Sequence, residues 1–179
     1  MTKRAPRQTG FSLVELMVVV AIVAVLAAIA IPTFQKYLAK TKIAEAPPTL
    51  RRIVDGATAY FNIDHADRNG VLVEPQFPVT TGWYPAELPV GRKVLAGPDE
   101  PPAADRPTWE ALKIALGDPV YFHYRFRSQG SGLNQQAVAE AEGTIMPPTL
   151  CTMRRDIWTK DGSSHELVYS DLKIITPPY

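Results

Sequence analysis

The sequence predicts an α+β molecule: a long, kinked N-terminal α-helix, half transmembrane and half amphipathic, packed on a C-terminal antiparallel sheet of about four strands. Three observations predict it. Residues 11–31 form an unbroken apolar run that carries a single charge, Glu15. Beyond Pro32 an apolar stripe recurs at alternating four- and three-residue spacings as far as Tyr60. After residue 120, stretches of alternating apolar and polar residues are separated by turn-forming residues.

The apolar run comes first. As a helix, residues 11–31 span about 30 Å, the thickness of a bilayer hydrocarbon core. Lys3, Arg4 and Arg7 precede the run, which places the N-terminus in the cytoplasm and the bulk of the chain across the membrane. Composition leaves two readings open. One is a permanent anchor. The other is a secretory signal peptide with a cleavage site at Ala28-Ile29-Ala30. Two features weigh against the signal peptide: the run is longer than an ordinary signal core, and Glu15 lies inside it. A carboxylate in hydrocarbon costs roughly 2.5–3.5 kcal/mol or more, so it calls for a partner or for a position near the interface where it can snorkel.

The residues Gly10-Phe11-Ser12-Leu13-Val14-Glu15-Leu16 resemble the processing signal of type IV pilins and of the related type II secretion pseudopilins. The resemblance runs through Pro32 and covers about a third of the chain. It implies that a prepilin peptidase cuts between Gly10 and Phe11 and methylates the new Phe11 amine. The apolar run then stays on the mature protein. It also implies that Glu15 pairs with the Phe11 amine of a neighbouring subunit joining a helical filament. In low dielectric such pairing offsets much of the cost of burying either charge, and so selects an axial register.

Past Pro32 the helix becomes amphipathic. Ala39, Ile43, Ala46, Leu50, Ile53, Ala57 and Tyr60 form the stripe, while Lys36, Lys40, Lys42, Glu45, Arg51, Arg52 and Asp55 face away from it. The stripe keeps its phase across Pro47 and Pro48, which predicts one helix with a bend or short break there; a true helix end at Ala46 is the rival reading. Pro32 is a second expected kink. The helix is expected to stop within residues 62–67, before the Asn69-Gly70 turn. Residues 65–76 bear a faint likeness to a calcium loop, but His65 and Gln76 occupy positions that need carboxylates, so a turn is expected.

Residues 71–107 are rich in proline and read as an irregular loop, with a short strand expected at 92–95. Trp83 and Tyr84 either pin this loop to the domain or serve surface recognition. Trp109, Leu112 and Leu116 suggest a short helix closed by Gly117. Residues 120–127 are the clearest strand, with Val120, Phe122, Tyr124 and Phe126 on one face and Tyr121, His123, Arg125 and Arg127 on the other. The next strand, at 137–143, alternates small Ala137, Ala139 and Ala141 with Val138, Glu140 and Glu142. Antiparallel pairing then places Arg125 and Arg127 beside Glu140 and Glu142 on a solvent face. Residues 150–158 and 166–175 form a further pair, joined at Lys160-Asp161-Gly162-Ser163.

Composition narrows the function. The chain has 19 basic and 18 acidic residues; removing residues 1–10 takes away three basic ones and leaves a net charge of −2. That argues against nucleic-acid binding driven by phosphate contacts. The lone Cys151 excludes an intrachain disulfide and, beside Met153 in an alternating strand, reads as a small buried hydrophobe. The two-cysteine staple of many pilins is therefore missing. Asp161, Ser163 and Glu166 could serve as calcium ligands in its place, but the Asp-Gly turn is the better reading. His65, His123 and His165 lack metal-ligand spacing, and no phosphate loop, nucleophile elbow or CxxC is present. No catalytic residue, metal or cofactor is expected.

The resemblance thus implies a structural subunit of a type IV pilus. It would have a leader at 1–10, a transmembrane and filament-core helix at 11–31, an amphipathic helix at 32–64 and a loop-rich β domain at 65–179. Its expected partners are copies of itself, the prepilin peptidase, inner-membrane lipid, and an inner-membrane assembly platform with its ATPase. It would reside in the inner membrane as a precursor and outside the cell once assembled. A secretion pseudopilin or a minor, priming pilin is the alternative in the same architecture. A Sec-exported binding or enzymatic domain is the alternative from another class.

Overall fold

The computed structural model describes residues 10–66, 68–132, 134–146, 149–160 and 165–176. The chain divides into two compact units, the first ending at Leu38 and the second beginning at Ala39. Helix α1 (Leu13–Ile43) passes through Pro32 without interruption. Beside that proline, the Thr33 hydroxyl donates to the Ile29 carbonyl at 3.0 Å.

Regular helix stops at Ala44 and Glu45 and resumes as α2 (Ala46–Phe61). The break thus precedes Pro47 and Pro48 instead of falling on them. Sterics account for the offset: a proline ring clashes with the carbonyl four residues back, here Ile43 and Ala44. Pro47 and Pro48 themselves occupy the first turn of α2, where a missing N–H costs nothing. The amphipathic stretch thus carries the short break expected near the prolines, at Ala44 and Glu45.

The stripe of α2 is fully buried at Ala46, Leu50, Ile53, Val54, Ala57 and Phe61. It finishes on Phe61 instead of Tyr60, whose ring rests against His65 with centroids 4.2 Å apart. A hairpin of two-residue strands follows, β1 (His65–Ala66) with β2 (Leu72–Val73), turning through Gly70 at φ 79°. The turn expected there is present, with a strand pair at its base.

The sheet is antiparallel in the order β3 (His123–Ser131), β4 (Asn134–Met146), β5 (Thr149–Thr159). The fourth position is shared by β6 (Leu167–Tyr169), which pairs with Ile157, Trp158 and Thr159, and β7 (Lys173–Thr176), which pairs with Thr152, Met153 and Arg154. They are separated where Ser170 bonds Asp156 twice: its N–H donates to the Asp156 carbonyl and its Oγ accepts the Asp156 N–H, both at 2.9 Å. β3 starts later than the alternation suggested. Val120 instead forms an isolated bridge with Val94, which is all that remains of the strand expected at 92–95. The turn at 161–163 and the Pro147-Pro148 and Pro177-Pro178 pairs lie outside the described residues.

Helix α2 packs on the inner faces of β4 and β5, where Ala137, Ala139 and Ala141 admit it closely and Phe122, Tyr124, Phe126, Met153 and Ile157 fill the remaining space. Helix α3 (Arg106–Ala111) leans on α2 at Gly56, where an added Cβ would lie 2.2 Å from the Leu112 carbonyl oxygen. Its end is set by Lys113 at φ 56°, not by Gly117. Ile114 N–H reaches the Trp109 carbonyl and Lys113 N–H the Glu110 carbonyl, both at 3.0 Å, which is a Schellman closure with a lysine where glycine is usual.

The proline-rich loop covers the free edge of β3. Tyr84 exchanges both backbone bonds with Tyr124 at 2.8 Å, Thr81 N–H donates to the Phe126 carbonyl at 2.8 Å, and the Thr80 hydroxyl accepts the Ser128 N–H at 2.9 Å. An edge that would otherwise be open to pairing is satisfied by irregular chain.

Candidate assembly site

The first unit is organised by its helix start. Gly10 and Phe11 precede α1 in exposed, irregular backbone, and Phe11 is 76% exposed. Ser12 is the cap. Its Oγ accepts the Glu15 N–H at 3.2 Å, its carbonyl accepts the Leu16 N–H at 3.2 Å, and its own N–H donates to Glu15 Oε2 at 3.4 Å. This is a capping box: two otherwise unpaired donors are satisfied reciprocally, and an acid sits where the helix dipole favours it. The Ser-x-x-Glu spacing before an apolar run is a signal that a sequence reading could have used. Glu15 is thus already engaged within its own chain, and it lies one turn from the amine that cleavage at Gly10 would create.

From Leu13 to Leu38 the large apolar side chains of α1 are all exposed. α1 is long and apolar enough to cross a membrane. Soluble proteins rarely expose contiguous apolar patches of such extent, and such a surface marks an interaction site. Pro32 lies within it, exposed; Pro47 and Pro48 belong to the second unit and take no part.

In the second unit the α1–α2 break is held by charge. Glu45 Oε1 accepts the Tyr121 N–H at 2.7 Å and Oε2 pairs with Lys93 at 3.4 Å. Lys42 donates to the Gly91 carbonyl at 3.3 Å, and the Lys42 and Lys93 ammoniums lie 5.0 and 5.1 Å from the Tyr121 ring. Glu45 was expected on the polar face; it is instead a half-buried anchor.

On the outer sheet face, register places Arg125 opposite Glu140. Glu140 accepts from Arg125 Nη2 at 2.7 Å and Nε at 3.0 Å, and from Arg127 Nη2 at 2.5 Å. The expected cross-strand pairing forms, but not in solvent, since Glu140 is only 7% exposed. Trp83 stacks on His123 at 4.0 Å, and the Arg125 guanidinium lies 4.3 Å from the same ring. Trp83 thus packs on the sheet. Burial lowers the His123 pKa to about 4, against a nearby Pro85 carbonyl that opposes the shift and with a smaller push from Arg125. Burial likewise raises the pKa of the Cys151 thiol, which keeps it protonated and unreactive. Among the described residues no group of three or more histidine, cysteine or acidic side chains could hold a metal.

The model of the prokaryotic N-terminal methylation motif matches residues 5–31. The chain is 47% identical over 57 residues to the type IV major pilin protein PilA of Myxococcus xanthus, covering 32% of this chain and 26% of that protein. It is 33% identical over 114 residues to a fimbrial protein of Dichelobacter nodosus, covering 63% and 61%. It is 40% identical over 63 residues to a fimbrial protein of Neisseria meningitidis serogroup B, covering 35% and 36%. The chain spans less than two thirds of the length of each of these relatives. No solved structure matches it. These likenesses are to pilins and fimbrial proteins, and they favour neither a secretion pseudopilin nor an exported binding or enzymatic domain.

Proposed function

We propose that this chain, whose N-terminal third is that of the type IV pilin family, is a structural subunit of a type IV pilus. The observation that carries the reading is the exposed apolar surface of α1, which begins at the methylation motif and over residues 13–32 is interrupted by Glu15 alone. Such a surface is stable in lipid and equally stable against copies of the same helix. Moving from one environment to the other keeps it out of water, so the transfer can be reversible and driven by an assembly ATPase acting through a membrane platform. The chain waits in the inner membrane, is cut by the prepilin peptidase between Gly10 and Phe11, is methylated at Phe11 and assembles through residues 11–31. Residues 32–64 connect that core to the globular part, and the filament lies outside the cell.

Glu15 has two successive roles. Before assembly its carboxylate is satisfied by Ser12. During assembly the Phe11 amine of another subunit offers full opposite charge, a stronger partner than the Ser12 N–H. The transfer between environments is the whole mechanism, and no covalent turnover belongs to this protein.

N-terminal mass analysis of the mature protein tests the processing. The expected start is N-methyl Phe11; a start at Ile31 would mean a Sec signal and overturn the reading. Filament yield from cells expressing only Glu15→Val tests the assembly. Membrane insertion and cleavage are expected to persist while filaments fall at least about tenfold, as for a lost charged contact. Wild-type yield would refute the pairing.

A further inference from the structure

The face of the sheet opposite α2 carries a second feature that assembly through α1 does not use. Register arranges its side chains in rows across the strands. Arg125, Glu140, Arg154 and Lys173 form one row, Arg127, Val138 and Asp156 the next, and Gln129, Gln136 and Trp158 the third. Between the second and third rows lies a groove made of two adjoining depressions, of about 260 and 290 Å³, that share Gln136, Val138 and Arg154. Val138 is the floor, Arg127 and Arg154 stand on either side, and Trp158, 36% exposed, closes one end.

The polar groups here are both positioned and unsaturated. Gln129 Nε2 donates to Gln136 Oε1 at 3.1 Å, which holds the two amides side by side with a donor and an acceptor to spare. Arg154 spends Nε and one Nη on Asp156 Oδ1, at 3.0 and 2.7 Å, and Arg127 spends one Nη on Glu140. Each arginine lines the groove, and its guanidinium has N–H donors beyond those bonds, in a planar arrangement suited to a carboxylate. Lys173 reaches Asp156 at 3.3 Å. The face carries four cations, Arg125, Arg127, Arg154 and Lys173, against three carboxylates, Glu140, Glu142 and Asp156, and so is weakly positive.

We propose that this groove, formed by Trp158, the Gln129–Gln136 amide pair and the tethered Arg127 and Arg154, binds an acidic polysaccharide. An indole offers a flat apolar surface to the C–H face of a pyranose ring. Paired amides match adjacent hydroxyls, which both donate and accept. The spare guanidinium donors take a uronate carboxylate. A nucleic acid fits less well, because phosphate-driven binding depends on uncompensated cations and the cations here are paired with Glu140 and Asp156, whereas a polysaccharide also gains from the indole and the amide pair.

The test uses the full chain in detergent micelles, so it does not depend on filament formation. Binding is measured to polygalacturonate, to neutral dextran and to a thirty-residue oligothymidylate. Polygalacturonate is expected to bind with a preference over both others. Trp158→Ala and Gln136→Glu, both at exposed positions, are each expected to weaken it by about tenfold or more. Unchanged melting temperatures in the two variants confirm that they fold. No binding of polygalacturonate, tighter binding of oligothymidylate, or wild-type binding by both folded variants would each overturn the proposal.

Discussion

Gly56 and His123 show how single positions are set by what packs on them. A methyl at Gly56 would meet the Leu112 carbonyl oxygen at 2.2 Å, and backbone on both sides leaves nothing flexible to yield. Gly56→Ala raises helix propensity, yet it is expected to destabilise the fold by about 1–3 kcal/mol through overpacking. Chemical denaturation checks this; a stabilised variant would mean α3 is free to move away. His123 is 4% exposed, and its pKa is lowered to about 4 from 6.5. A lowered folded-state value means the unfolded chain binds the proton more readily. Stability from this residue is therefore complete above about pH 6.5 and falls as pH drops from 6.5 toward 4, by roughly 2–3 kcal/mol. Arg125, Trp83 and the register partner Glu142 surround it. Stability curves of the parent and of His123→Gln over that range are expected to differ in slope, the variant losing less on acidification.

At the scale of elements, the α1–α2 break teaches the same lesson about prolines. Their steric effect acts one turn upstream, at Ile43 and Ala44, while Glu45 secures the interrupted backbone through Tyr121 and Lys93. Once the break exists, Pro47 and Pro48 sit where proline is tolerated. Replacing Pro47 or Pro48 singly with alanine is expected to change stability by less than about 1 kcal/mol, whereas a proline deep in a helix interior costs about 3 kcal/mol. Thermal melts decide it; a gain well beyond 1 kcal/mol would show that the prolines strain α2. The proline-rich loop has an equally definite job, because it takes up the backbone groups that β3 would otherwise leave open.

At the scale of the molecule, the two units present different surfaces. The second unit, from Ala39 onward, contains the buried core of the chain, whereas the first exposes its apolar side chains. A chain beginning at Ala39 is therefore expected to be soluble without detergent, monomeric by size exclusion, and cooperative in its melt. The full chain is expected to require detergent or lipid. Aggregation of the shorter chain would mean that the first unit contributes to the folding of the second.

The sequence by itself determined the elements whose cause is local. The apolar run, the Ser12-x-x-Glu15 start, the stripe of α2, the small-residue strand β4 and the pairing of Arg125 with Glu140 all follow from spacing and side-chain size, which period and register translate directly into faces. Tertiary structure alone decided where that logic is overridden. Alternation places His123 and Glu140 on an outer face, but only the returning loop with Trp83 makes His123 buried, and only the flanking arginines close over Glu140. The left-handed Lys113, the splitting of the fourth strand at Ser170 and the pairing of Tyr84 with Tyr124 likewise join residues distant in sequence or strain a single residue for a contact elsewhere. Local preference cannot encode these, because their free energy comes from groups that meet only once the chain has folded.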